Sequence, residues 1–263
     1  FKNVSEELFK EAFSTSDLLH KNCDIKKISP CLNIDINLIY REIQNDLGIP
    51  LVNENNISQI LSDERINRFK KLIDETLVEL LTYFENRNDN KIFEMVTDNA
   101  TVPTIFEYIL GIIWYKISNY AGNILEFMNL SLEADLLPKT HAIGGDADIV
   151  YEYEETAYYP KHSMLIEATL MDESTQRRGE MEPVSRHLGN YILNTGNNAY
   201  CTFISPYLDI NVLSHFRSLK NSGYYNPQDY TQHVESLKIV PLKTKELKTI
   251  IQKGIKYKDI YKV

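Results

Sequence analysis

The 263-residue sequence predicts an α/β fold, a sheet flanked by helices and entered through a helical N-terminal region. Three observations carry this expectation. Apolar residues make up 43% and charged residues 25%, the balance of a globular chain able to bury a core. Up to about residue 135 apolar residues recur at a spacing near 3.6, the period of an amphipathic helix. After Pro138, short runs rich in Ile, Val, Tyr and Leu alternate with amphipathic segments in the order β-β-α-β-α-β-α.

The elements follow in order. Residues 5–20 carry Leu8, Phe9, Ala12, Phe13, Leu18 and Leu19 on one helical face. Residues 33–47 form a second helix, ended by Gly48 and Pro50. A long helix or helix pair covers 56–85, with Ile60, Phe69, Leu77 and Leu81 in its apolar stripe, and a polar break over 86–90 leads to a short segment at 92–96. Thr101 or Thr104 caps the next helix and Pro103 suits its first turn. That helix runs to about Asn119, and a further one covers 122–133. Strands over 148–152 and 163–170 flank a polar hairpin connection. Residues 175–193 are helical with Pro183 near a turn or kink, 199–205 is a buried strand, and 212–219 a helix. A strand over 237–240 ends at Pro241, and 244–254 is the last helix. The chain thus divides into a helical region, 1–100, and a sheet-bearing domain, 101–263.

Composition excludes several classes. The longest apolar stretch, 105–117, contains Glu107 and Lys116 and falls short of the roughly 18 residues a membrane span requires. The chain opens on Phe1 without a basic region followed by an apolar one, so no retained signal peptide is expected, and the start suggests processing or a piece of a longer protein. Cys23, Cys31 and Cys201 are too few and too scattered for a disulfide scaffold or a zinc site, and fit a reducing cytoplasm. The net charge of −9 argues against a surface that grips phosphate everywhere.

Chemistry concentrates where the pattern switches. Asp148 opens a strand after the Gly144-Gly145 turn, and Glu167 sits within the apolar run Met164-Leu165-Ile166 and Ala168. A carboxylate in such a strand loses hydration and needs a partner. A hard divalent cation provides one, since Mg²⁺ takes one or two carboxylates and keeps several waters. Two adjacent strands bring Asp148 and Glu167 to one ion, with the Ala168 carbonyl as a third oxygen; the alternative is a solvated strand edge with Asp148 in a turn. Glu107 shares a helix face with Leu110, Gly111 and Trp114 and so turns inward, toward the metal or toward a buried Lys or Tyr. Further on, Glu180, Val184 and His187 share one side if their helix is continuous, with Gln176 a turn earlier. Glu180 and His187 there could position water or a second ion, and Arg177, Arg178 and Arg186 could meet phosphates. A charged amphipathic helix is the plainer reading of the same segment. His141 lies next to the Gly-Gly turn, whereas His20, His162, His215 and His233 read as surface or structural residues.

Taken in order, Thr104-Ile-Phe-Glu107-Tyr, Thr140-His-Ala-Ile-Gly-Gly-Asp-Ala-Asp148-Ile, Ile166-Glu167-Ala-Thr169, Gln176 to His187 and Tyr200-Cys-Thr-Phe-Ile-Ser-Pro206 resemble the PD-(D/E)xK nucleases. More closely, they resemble the cleavage domain of AlwI-like type IIS restriction endonucleases, a group that includes BstNBI-type nicking enzymes; Ile239-Val-Pro-Leu242 also fits. The resemblance implies a central mixed sheet flanked by helices and a Mg²⁺-dependent endonuclease, with Mn²⁺ able to substitute. It assigns Asp148 and Glu167 to the acidic metal pair, Glu107 to the upstream helix glutamate that supports the metal, and Glu180 and His187 to the acidic and histidine positions of the following helix. Thr169 stands where many PD-(D/E)xK enzymes carry lysine, Ala147 replaces proline, and Asp146 competes with Asp148 for the acidic position. It further implies double-stranded DNA as substrate, a separate recognition domain or subunit to which 1–100 would link, a transient dimer for double-strand cleavage, and a prokaryotic cytoplasmic setting. Two other functions compete: a catalytically silent nuclease-like subunit acting through protein contacts, and a glycosidase built on paired carboxylates. The lack of an aromatic sugar platform around Glu167 counts against the glycosidase.

Overall fold

The computed structural model describes residues 36–47, 63, 66–133, 136–141 and 146–261. The chain divides into two units, Phe1–Lys71 with Leu132–Leu137, and Leu72–Ser131 with Pro138–Val263. In the smaller unit, α1 (Ile36–Leu47) buries Leu38, Ile39 and Tyr40 and exposes Asn37 and Arg41, as an amphipathic helix should. The helix expected over 5–20, and most of 56–65, lie outside the described residues.

The larger unit opens with α2 (Asp74–Glu85) and α3 (Asp89–Met95). Leu77, Leu80, Leu81 and Phe84 make the buried stripe of α2. Next comes α4 (Val102–Ile117), capped by the Thr101 side chain, which accepts from the Thr104 amide at 3.4 Å, with Pro103 in the first turn. Every residue from Thr104 to Tyr115 on α4 is buried, so it is a central helix without a solvent face.

The helix expected over 122–133 is only one turn long, α5 (Ile124–Phe127). Met128 then bridges to Ile149, the Asn129 amide donates to the Asp148 carbonyl at 3.1 Å, and Ser131–Leu132 is strand β1. Bonds offered by the neighbouring sheet outweigh a weak helical preference here. Strand β2 (Pro138–Thr140) follows.

The main sheet contains β3 (Ile149–Tyr153), β4 (His162–Ala168) and β5 (Ala199–Ser205). Between β4 and β5 run α6 (Glu173–Gly179) and α7 (Met181–Thr195). The single helix expected over 175–193 is thus broken at Glu180, and Pro183 falls in the first turn of α7, where its missing N–H leaves no helical bond unmade. After β5 come α8 (Ile210–Ser222), the hairpin β6 (Tyr224–Asn226) and β7 (Asp229–Val234), then β8 (Ile239–Lys243), α9 (Thr244–Gln252) and α10 (Tyr257–Ile260). The strand order is β3-β4-β5-β8, with β3 antiparallel to β4 and the other pairs parallel, which is the expected mixed sheet flanked by helices. Pro241 lies inside β8 instead of ending it, a position an edge strand tolerates.

Both faces of the sheet are packed. On one, Leu165, Cys201 and Phe203 meet Val184 and Leu188 of α7 and Val212 and Phe216 of α8. On the other, Gly111 of α4 allows close approach: a Cβ there would lie 2.6 Å from the Met128 sulfur and 3.7 Å from Ile149. Trp114 Nε1 donates to the Tyr153 hydroxyl at 2.9 Å and ties α4 to β3. Among the described residues no helix is long and apolar enough to cross a membrane.

Candidate active site

The antiparallel register pairs Ile149 with Ile166, so the start of β3 and the end of β4 lie at the same edge of the sheet. Asp148 precedes β3, and Glu167 is the penultimate residue of β4. Side chains alternate along a strand, so Glu167 shares the face of Leu165, which packs against α7. This is also the carboxyl end of the parallel pair β4-β5, where α/β sheets present their ligand sites.

Asp148 is half-buried, and its Oδ2 accepts from the Ala168 amide at 2.8 Å. The sequence reading gave Ala168 a carbonyl role; here its N–H anchors Asp148 across the strand pair. Glu167 is 6% exposed, and its Oε1 lies 2.8 Å from His187 Nδ1. Glu107 is 8% exposed, and its Oε2 is buried without a hydrogen-bond partner among the described residues. Glu180, at the break between α6 and α7, takes a hydrogen bond from the Thr169 side chain.

These carboxylates act on one another. Burial, then the Asp148 charge, pushes Glu107 up to about 8. Burial, then Glu167, raises Asp148 well above the ordinary range against the pull of the Ala168 amide. Burial, then Glu180 and Glu107, raises Glu167, with Arg186 opposing. Burial also raises Glu180, with Thr169 and His187 opposing. His187 is held below the usual imidazole range by burial and then by Arg186, with Asp146, Glu182 and Glu180 opposing. Four acidic groups thus share one desolvated volume, an arrangement that favours their protonated forms.

All five predicted site residues therefore gather at one end of the sheet. Asp148, not the exposed Asp146, is set against the Glu167 strand. Gln176 is not part of the cluster: its amide is buried among Ser205 Oγ at 2.8 Å, the Tyr207 carbonyl at 2.7 Å and the Met171 carbonyl at 3.2 Å, and locks α6 onto the end of β5. Arg186 pairs with Glu182 at 2.9 Å. His162 is buried and structural, and His141 is exposed. Arg87, which the sequence did not single out, shares a cleft with Thr169 and Glu180. It lies in a polar break that carried no motif.

The donor set suits a hard divalent cation, because all-oxygen ligands, mutual repulsion and an unpartnered buried Glu107 oxygen are relieved together by such an ion. Among the described residues no group of three or more His, Cys, Asp and Glu is already arranged to hold a metal by itself. Mg²⁺ does not demand one, since it keeps several waters beside one or two carboxylates.

The AlwI restriction endonuclease family model matches residues 2–250, and the chain belongs to that family. Among solved structures it is similar to the small subunit (R.BspD6I2) of the heterodimeric restriction endonuclease R.BspD6I, at 25% identity and a TM-score of 0.46, over 68% of this chain and 80% of that one. No curated protein sequence matches the chain.

Proposed function

We propose that the chain is a Mg²⁺-dependent endonuclease that hydrolyses phosphodiester bonds of double-stranded DNA, the cleavage part of a type IIS restriction or nicking enzyme. The observation that supports this reading is the convergence of Glu107, Asp148, Glu167, Glu180 and His187 at one sheet end in a chain of the AlwI family. Asp148, Glu167 and Glu107 would hold the metal, with Mn²⁺ able to replace Mg²⁺. Bound there, the ion supplies stabilisation of the charge that develops on the phosphate oxygens.

The chain's own groups do the rest. With Glu167 ionised, His187 Nδ1–H donates to it, which fixes the ring and leaves Nε2 to accept a proton. Its depressed pKa keeps the imidazole neutral near pH 7 and therefore able to act as a base. A water oxygen bonds to phosphorus while its proton passes to Nε2. The bond from phosphorus to the 3′ oxygen breaks, and that oxygen leaves with a proton from solvent. Glu180, oriented by Thr169, stands on the same side as His187 and orders the attacking water.

With a net charge of −9 the chain binds duplex DNA weakly and depends on a separate recognition domain or subunit for specificity. One centre cuts one strand per encounter, so cleavage of both strands requires a transient dimer or a partner's second centre. Supercoiled plasmid incubated with Mg²⁺, Mn²⁺ or chelator tests the reading: nicked circles in either metal and none in chelator support it, and intact plasmid in every condition removes it. A second reading, a silent subunit acting through protein contacts, draws on the lack of a preformed three-ligand group among the described residues and predicts that intact plasmid.

A further inference from the structure

A cleft of about 400 Å³ opens beside the carboxylate cluster, lined by Arg87, Pro103, Asp172 and Thr175 and by Thr169 and Glu180 of the site itself; the Asp172 carboxylate is taken up by the Ser174 hydroxyl and the Thr175 amide and hydroxyl. Whatever fills it lies against the proposed reacting centre. A phosphodiester is an anion and the cluster is acidic, so its approach needs a cation on the cleft wall. Arg87 is the cation among the lining residues. Arg186 pairs with Glu182 at 2.9 Å, Arg177 acts electrostatically on Asp209, and neither these two nor Arg178 lines the cleft. The exposed Arg87 guanidinium makes no ion pair among the described residues.

The turn that carries Arg87 is fixed. Arg87 has φ 54°, the left-handed region where glycine is favoured and a side chain with a Cβ is disfavoured. The turn closes through the Asn86 amide to the Thr82 carbonyl at 3.1 Å and the Asn88 amide to the Tyr83 carbonyl at 3.0 Å. Next to it, the Glu85 carboxylate accepts from Thr244 Oγ1 at 2.7 Å and Lys248 Nζ at 2.5 Å, and the Glu85 carbonyl accepts from the Tyr207 hydroxyl at 2.9 Å. Tyr207 follows β5 and Thr244 follows β8, so the turn is fastened to the carboxyl ends of two strands of the sheet that builds the site. The left-handed turn at Arg87 closes the C-terminus of α2, and the anchored turn holds its exposed side chain on the wall of the acidic cleft.

We infer that this cleft is a phosphate-binding subsite and that Arg87 clamps a backbone phosphate of the DNA strand beside the bond to be cut. The planar guanidinium matches phosphate oxygens bidentately, which sets the strand's position as well as neutralising its charge. The assignment rests on the nuclease reading above and gives it the cation that Thr169, in its own position, cannot supply.

Binding of the full chain to a short duplex, followed by fluorescence anisotropy in chelator over rising salt, tests the assignment. Wild type is compared with Arg87→Ala, Arg87→Lys and Arg87→Gly. Loss of one phosphate contact lowers the slope of log affinity against log salt by about 0.9, and affinity at low salt falls roughly ten- to a hundredfold. Arg87→Lys keeps the slope because it keeps the charge. Arg87→Gly binds as poorly as Arg87→Ala while melting no lower than wild type, since glycine accepts this φ, so misfolding is separated from lost contact. Unchanged slope and affinity in both Arg87→Ala and Arg87→Gly overturn the assignment, as does a wild type that does not bind duplex at all. Mg²⁺ then separates the two claims. If wild type nicks plasmid and the Arg87 variants bind and nick like it, the subsite falls and the nuclease stands. If binding depends on Arg87 but no metal yields product, the nuclease falls and the subsite stands.

Discussion

The two ends of β4 bury polar groups in opposite ways. At the His162 end every polar atom named has a partner: His162 Nδ1 with the Pro160 carbonyl, Nε2 with the Tyr257 hydroxyl, Tyr257 with Tyr200, and Tyr153 with both Trp114 and Ser118. The rings stack as well, Tyr153 on Tyr257 at 3.8 Å and 7°. At the Glu167 end burial raises all four carboxyls, Asp148, Glu167 and Glu107 are raised further by neighbouring carboxylates, and one oxygen of Glu107 has no hydrogen-bond partner among the described residues. The first arrangement is what burial requires of polar groups that serve stability. The second works against stability in the isolated chain and makes sense as a seat for something that arrives later. One strand thus carries a fully partnered end and an acidic, under-partnered end.

The largest expected effects break this comparison outright if they fail. Asp148→Ala or Glu167→Ala should abolish plasmid nicking, by about a thousandfold or more, while the melting temperature stays level or rises because repulsion is relieved. Full activity in either variant removes the site. His187→Ala should slow turnover by about 10²–10⁴-fold, the usual worth of a positioned acid or base. A loss under about fivefold would place His187 among residues that merely pack against Glu167.

The other end should respond in the reverse sense. Tyr257→Phe leaves His162 Nε2 and the Tyr200 hydroxyl short of a partner and should cost about 1–3 kcal/mol in a denaturant titration, with activity per folded molecule unchanged. His162 is held below the ordinary imidazole range by burial, with the Pro160 carbonyl opposing. The folded state therefore binds fewer protons than the unfolded one as pH falls below the usual histidine value, and stability drops across that window. His162→Phe should flatten the drop. If it does not, the histidine is not the group being titrated.

The smallest expected effect is the most specific. Glu107 titrates near 8 in the folded chain against 4.5 as its ordinary value. In that interval the folded state holds the extra proton, so stability is full below about pH 4.5 and declines as pH rises toward 8. Glu107→Gln should therefore raise the melting temperature at pH 8 without metal and do so much less at pH 4.5. Equal shifts at both pH values would mean that packing, not charge, is responsible.

Much of this was legible in the sequence, for identifiable reasons. Glu167 stands out because charge is rare inside an apolar strand, and strand pairing then brings Asp148 beside it. Glu107 was reached through a helix face, although α4 has no exposed face at all, so its inward direction follows from total burial. The 122–133 helix was overread because the bonds to Asp148 and Ile149 that pull the chain into extended form come from residues distant in sequence. The β6-β7 hairpin escaped notice because its strands are largely exposed and carry no apolar alternation. Glu180 was set beside His187 on condition of a continuous helix; the helix breaks there, yet Glu180 still lies near His187 and also meets Thr169, a contact that spacing does not encode. Arg87 was invisible because a left-handed arginine in a polar turn has no periodic signature.

Calorimetric titration of the metal-free chain with Mg²⁺ or Mn²⁺ at pH 7, in two buffers of different ionisation heat, tests the central claim most directly. Carboxylates that are part-protonated must release protons when they become ligands. The account predicts saturable binding with net proton release, reduced in Glu107→Gln and absent in Glu167→Ala. Saturable binding with no proton release, or binding that survives Glu167→Ala unchanged, would contradict it.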